Sequence, residues 1–369
     1  MRHRRAAAGA VAAAALVAAF PATANATGGG HDDPVGTVAG GLQGPRQLSD
    51  WWGGKLLVAE SDSGEVSSVD PWTGRVRTLL TGLGNAQGVD SSRGKIYVAV
   101  GEAAGPADAG TSAPPPGNPS TELVEATPGG KVLRSFDLLH YELEHNPDGQ
   151  VQFVGDEPVD TLSNPFSVLA QGKRVLVADA GANAVLSVDL HSGEISTFFV
   201  PPVVSPEEVA GCAEAENNPG TVGCDPVPTE ITEGPDGLIY VGTLGAEVPG
   251  AGRVYVLDKW GHEVGVIEHL TSVTGVAVDK KGNVYASNLL EAAPESETPP
   301  PGFDPTTVGD ITRIGRHGDR TVAQVTMPSG LEVSNGQLYA SAWSIAQFLG
   351  MPDRGEVQQV GRGAFVPAP

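Results

Sequence analysis

The chain has 369 residues and carries 44 Asp and Glu against 22 Lys and Arg, for a formal net charge of −22. Phosphate binding needs clustered basic charge, so this balance argues against a nucleic-acid binder and against a polybasic membrane-surface protein. Hydrophobic residues make up 40%, enough for a sizeable core, and the 50 glycines and 30 prolines suit many short strands joined by tight turns.

The first segment reads as one that is processed. Arg2, His3, Arg4 and Arg5 make a basic start, an Ala/Val/Leu-rich stretch runs from about Ala6 to Phe20, and Ala24-Asn25-Ala26 offers a small-x-small cleavage site. This is the pattern of a secretory signal peptide. Residues 1–26 are expected to be removed, leaving Thr27 as the mature start and 27–34 as a flexible lead. The apolar stretch is shorter than the roughly 20 residues that span a bilayer. The expectation is a secreted, acidic, soluble protein without a membrane span.

A repeat organises the rest of the chain. A short apolar strand ending in a small residue recurs as Leu56-Leu57-Val58-Ala59, Ile96-Tyr97-Val98-Ala99, Val175-Leu176-Val177-Ala178, Ile239-Tyr240-Val241-Gly242, Val284-Tyr285-Ala286-Ser287 and Leu338-Tyr339-Ala340-Ser341. A glycine turn precedes each copy, for example Arg93-Gly94, Asp236-Gly237 and Asn335-Gly336. Glycine supplies the positive φ that tight hairpins require. Two further strands follow in most copies, as at Glu65 to Val69 and Arg75 to Leu79, or Arg253 to Leu257 and Glu263 to Ile267. Six hairpin-joined units of four strands predict an all-β chain folded as a six-bladed β-propeller over 35–363. The sixth unit has strands at Leu331 to Ser334, Gln337 to Ala342 and Glu356 to Val360, then runs into a tail at 364–369. Its missing outer strand is assigned to Val35 to Ala39, which closes the ring and leaves no open sheet edge. Two β-sandwich domains are the alternative; the unbroken run of copies speaks against them.

Insertions fall between strands two and three and between blades, at about 102–120, 140–163, 201–227, 289–308 and 344–354. In an up-and-down blade these connections emerge on one face, so that face is where binding is expected. The Pro-rich stretches 105–119 and 291–301 read as tolerated insertions. Leu139 and Leu143, four apart, predict a short helix on that face, with His140 and Glu144 sharing a side; a charged surface is favoured there over a metal site. Cys212 and Cys224 are the two cysteines of the chain and are expected to pair in an oxidising compartment. The loop they would close, about 13 residues, is worth roughly 3 kcal/mol in the chain-entropy model.

Motifs for nucleophilic catalysis, zinc proteases and phosphate loops do not occur, and neither Asp62 to Glu65 nor Asp304 to Asp310 has EF-hand spacing. Channel-facing positions carry the remaining signal. The first strand of each blade should line the channel with its start at the built-up face, which places Gln43, Arg46, Gln87, Asn164, Thr229, Glu230 and Thr274 there. Glu60, Asp179 and Asn288 sit at the ends of second strands. Arg46, Gln87, Asn164, Glu230 and Asn288 are the expected ligand-binding set. No cofactor is required; Asn164, Glu230 and Asp179 are the candidates should Ca²⁺ or another divalent cation bind through convergent oxygens. For Asp179 and Asn183, capping of their own tight turn is the favoured reading.

The blade from Val175 to Asp189 resembles those of NHL-type and SMP-30-like propellers. More narrowly, the chain resembles the ScyD/ScyE family of exported bacterial propellers. The matching pieces are Gly44-Pro45-Arg46, Pro128-Gly129-Gly130-Lys131, Asn146-Pro147-Asp148-Gly149 followed by Ser163-Asn164-Pro165-Phe166, the Asp179 blade, and Gly234-Pro235-Asp236-Gly237. The resemblance implies the propeller fold and export but no defined reaction. Thr161-Leu162 intrude before Ser163-Asn164, and Glu230 stands where the family has a small residue. SMP-30-like lactonases hold a divalent metal in the channel, beginning with a Glu that opens blade one; here Gln43-Gly44-Pro45 puts a neutral amide at that place. The expected function is therefore a non-catalytic propeller that binds a small molecule or protein at its looped face, acting as a monomer. A metal-dependent lactonase or a structural cell-surface scaffold are the alternatives.

Overall fold

The computed structural model describes residues 34–102, 121–159, 161–215, 217–294 and 300–368. The expected signal segment 1–26, the start at Thr27, nearly all of the lead and the Pro-rich core 105–119 lie outside them.

The second strand of every repeat explains the architecture. Leu56, Leu57, Val58 and Ala59 are all fully buried, as are Val175, Leu176, Val177 and Ala178. A strand apolar on both faces must be covered on both faces. The chain achieves this by standing six antiparallel sheets around an axis. The innermost strands are Pro45–Trp51, Asn85–Ser92, Pro165–Gln171, Pro228–Glu233, Val273–Val278 and Leu331–Ser334. Each starts a meander, so that Pro165–Gln171 pairs with Arg174–Asp179, which pairs with Ala184–Asp189 and then Ile195–Phe199. The predicted six-bladed propeller is the fold.

The hydrophobic core is divided among the blade interfaces. Leu57, Ala59 and Val66 of blade one meet Val89, Ile96 and Val98 of blade two. Leu176 and Val185 of blade three meet Ile231, Ile239 and Leu257 of blade four. Blade six closes against blade one through Val357, Tyr339, Leu48 and Leu56. At roughly 25 cal/mol per Å² of apolar surface, each interface is held by burial rather than by ion pairs.

Ring closure follows the predicted pattern. Val35–Leu42 is the outer strand of blade six, with Val35 opposite Val360 and Thr37 opposite Gln358. The segment read as a tail does more than end the chain. Val366–Pro367 pairs with Arg320–Gln324 as a fifth strand on blade five, and Phe365 packs 5.7 Å from the Tyr285 ring.

The predicted helix is Leu138–His145, capped by the Asp137 carboxylate. Its buried face is Leu138, Tyr141 and Glu142, whereas Leu143 is exposed. The Leu139/Leu143 spacing therefore marks the helix but not the face that packs, because the Tyr141 hydroxyl is drawn inward to Thr197 at 2.9 Å. His140 and Glu144 stand 3.4 Å apart on the solvent side. Cys212 and Cys224 form the expected disulfide, which pins the loop leading into blade four against Val204 and Ala251.

Candidate functional site

The starts of the innermost strands define the mouth of the channel on the loop-bearing face. Five of the six carry a register shift near their start, such as Pro45/Leu48, Ala86/Gly88 and Pro165/Ser167. A bulge re-aims side chains, and three of the expected residues gather here. Gln87 of blade two donates to Asn164 Oδ1 of blade three at 2.5 Å, and the Glu102 amide donates to the same oxygen at 3.2 Å. Gly101 leaves space for this pair; a Cβ there would collide with both amides. Arg46 of blade one reaches over the Phe166 ring of blade three, 5.9 Å from its centroid, and its Nε donates to Ser61 Oγ at 3.1 Å.

Asp179 anchors this rim. Its Oδ1 accepts from the amides of Asn164 and Ala182, and its Oδ2 accepts from Ser163 Oγ at 2.7 Å. Burial raises its carboxyl to about 6, against those hydrogen bonds. It caps its turn as expected. Asn183 reaches further: its amide donates to Asp148 Oδ2 and its oxygen accepts from the Val227 amide, tying two inter-blade loops together. Asp148 and Gly149 of the Asn-Pro-Asp-Gly motif thereby line a cleft of about 450 Å³ between the loops of blades three and four, bounded also by Gln150, Pro202 and Thr221.

Glu230 lies one level deeper. Gln47 spans the axis: its Oε1 accepts from the Val89 and Val168 amides, and its Nε2 donates to Val168 O at 2.9 Å and to Glu230 Oε1 at 3.1 Å. Ser167 Oγ donates to the same Glu230 oxygen at 2.6 Å, and the Ile231 amide donates at 2.9 Å. Glu230 Oε2 is buried and has no hydrogen-bond partner among the described residues. Burial pushes this carboxyl up to about 8, with Glu332 adding to the rise and the Ser167, Ile231 and Gln47 bonds opposing it. Towards the other mouth stand Asp90, raised to about 6, and Glu332, raised to about 8, both chiefly by burial.

Asn288 stands apart from the mouth, in blade five. Its oxygen accepts from the Thr271 amide and its amide donates to Asp310 and Thr312. The structure thus brings together Arg46, Gln87 and Asn164, keeps Glu230 beneath them and sets Asn288 aside. Gln47, Ser167 and Phe166 are the participants that repeat-level reasoning passes over; the bulged strand starts are the signal that could have found them.

The Gln43 amide is turned to Asp353 at 2.9 Å, and both Asp179 oxygens are occupied by N–H and O–H donors. Among the described residues no group of three or more His, Cys, Asp or Glu side chains is arranged to hold a metal.

No protein-family model and no curated protein matches the chain. Solved structures do resemble it. A gluconolactonase from Xanthomonas campestris is 9% identical over 88% of this chain and 88% of its own, with a TM-score of 0.52. A luciferin-regenerating enzyme is 9% identical over 90% of this chain and 97% of its own, with a TM-score of 0.53. A protein of unknown function from Bacteroides thetaiotaomicron is 11% identical over 88% of this chain and 75% of its own, also at 0.53. These likenesses concern the fold alone, the ring of four-stranded antiparallel sheets. Among the described residues no helix is long and apolar enough to cross a membrane.

Proposed function

We propose that this chain is an exported propeller of the ScyD/ScyE kind that binds a ligand at the loop-bearing mouth of its channel, without a chemical step. The observation that carries the reading is the convergence of Arg46, Gln87, Asn164 and Phe166, from three blades, around one opening. Glu230, a carboxyl that burial raises to about 8, lies beneath Gln47 rather than at that opening, which favours binding over catalysis. Export is supported by the basic, apolar and Ala-x-Ala pattern of residues 1–26 and by the Cys212–Cys224 disulfide.

The test is a thermal-shift screen of small polar molecules against wild type and Asn164→Ala. A molecule that raises Tm in wild type but not in the variant supports the reading. Shifts that survive Asn164→Ala place binding elsewhere, and turnover of a lactone or ester in the same screen would replace binding with hydrolysis.

A further inference from the structure

We propose that Arg46 makes the channel mouth a site for a small carboxylate: the guanidinium, laid across the opening beside the Phe166 ring, takes the ligand's carboxylate on its two free nitrogens. The proposal rests on the mouth being the binding site and names the chemistry it takes.

The argument begins with hydrogen-bond accounting. A guanidinium has five N–H donors and no acceptor. Among the described residues, Arg46 spends one, from Nε to Ser61 Oγ. Its Nη atoms have no partner there and are not sealed from solvent. Arginines elsewhere in the blades are committed to partners. Arg253 is paired with both Glu208 and Glu268, Arg134 with Glu125 and the Leu190 carbonyl, and Arg320 with the carbonyls of Glu268 and His269. Arg46 is half-buried, and burial works against its charge while Asp62 supports it.

Asp62 supplies the counter-charge without consuming the donors. Its Oδ1 accepts from Ser61 Oγ at 3.1 Å, and its Oδ2 is buried without a partner among the described residues. It lies against Gly44, where a Cβ would overlap the carboxylate. The Gly44-Pro45-Arg46 sequence thus seats Asp62 beside Arg46 while leaving the outer edge of the fork open. A planar fork with two free nitrogens matches a carboxylate in bidentate fashion. The nearby Asp62 and the net charge of −22 oppose a doubly charged phosphate. Phe166, partly buried beneath the fork, offers an apolar surface for the body of the ligand, and the Asn164 Nδ2 donors, unused among the described residues, stand two residues away along the same strand start.

Benzoate is the probe, with benzamide as its neutral counterpart and sulfate as the competing anion, in calorimetric titrations of the purified protein at constant ionic strength. Benzoate should bind saturably in the millimolar range expected of one bidentate contact, and benzamide at least about tenfold more weakly. Arg46→Gln should abolish benzoate binding, Arg46→Lys should retain part of it, and Asp62→Asn should tighten it about threefold or more by removing the competing charge. Benzoate affinity unchanged in Arg46→Gln, or equal affinity for benzamide, overturns the proposal. Should Arg46→Gln fail to fold, Asp62→Asn decides: unchanged affinity overturns it. If benzoate fails while some other molecule shows an Asn164-dependent shift, the carboxylate assignment falls and the binding reading stands; if nothing binds at the mouth, both fall.

Discussion

Replacing Glu230 with Gln should remove one proton's worth of pH dependence from the stability of this protein. An ordinary glutamate releases its proton near 4.5, whereas burial raises Glu230 to about 8. Between those values the folded chain holds a proton that the unfolded chain has lost. Stability from this group is therefore complete below about 4.5 and is lost as pH rises through about 8. One extra bound proton gives a slope of about 1.4 kcal/mol per pH unit. Across the whole window the loss sums to roughly 5 kcal/mol, a large part of the stability of an ordinary domain. Gln keeps an oxygen for Ser167, Ile231 and Gln47 and carries no charge, so it imitates the protonated acid. Urea unfolding of both proteins at several pH values from about 5 to about 8 is the assay. Glu142, raised to about 7 and not coupled to Glu230, slopes the same way in both proteins and cancels in the comparison, whereas Glu332, which is coupled to Glu230, keeps a slope of its own in the variant. The curves should meet near pH 5 and diverge, with the variant several kcal/mol the more stable at pH 8. Parallel curves would refute the burial of an acid at this point on the axis.

Packing sets the remaining expectations. Ile239→Ala opens a cavity between blades three and four and should cost about 2–5 kcal/mol in denaturant unfolding. Trp52→Ala, at a hairpin tip with a side chain 72% exposed, should stay within about 0.5 kcal/mol; similar losses from both would contradict the core assignment. Substituting both Cys212 and Cys224 by Ser should lower stability by about 3 kcal/mol under non-reducing conditions, and equal midpoints would show that the loop needs no staple. Gly101→Ala should lower Tm and weaken any ligand that depends on Asn164, because its Cβ meets the Gln87 and Asn164 amides; an unchanged melting curve would place those amides elsewhere.

The repeat settled the architecture before any coordinate was needed. Six apolar second strands, each behind a glycine turn, demand cover on both faces, and a closed ring provides it. The strand predicted at Val35 to Ala39 pairs where ring closure requires, and Leu331 to Ser334 begins and ends where predicted. Loop lengths told which face is built up, because alternate connections in a meander share a side. Even the capping role of Asp179 was legible, since it is local to its turn.

The site was only half legible, for a physical reason. Arg46, Gln87 and Asn164 could be named because each opens a repeat. What they do there depends on partners far away in the chain: Gln47 meets Val168 and Glu230, at separations of 121 and 183 residues. No local period marks such a contact. The bulges that begin five of the six inner strands also break the alternation from which a side chain's direction is read. Glu230 and Asn288 look alike in sequence as polar residues near strand ends. Tertiary structure alone put the first on the axis under Gln47, bonded the second to Asp310 and Thr312 within its own blade, and set the guanidinium of Arg46 over Phe166. The sequence by itself determined a ring of blades and the face that carries the loops; which polar groups bond to which partners within the protein was decided by the approach of strands from different blades around the axis.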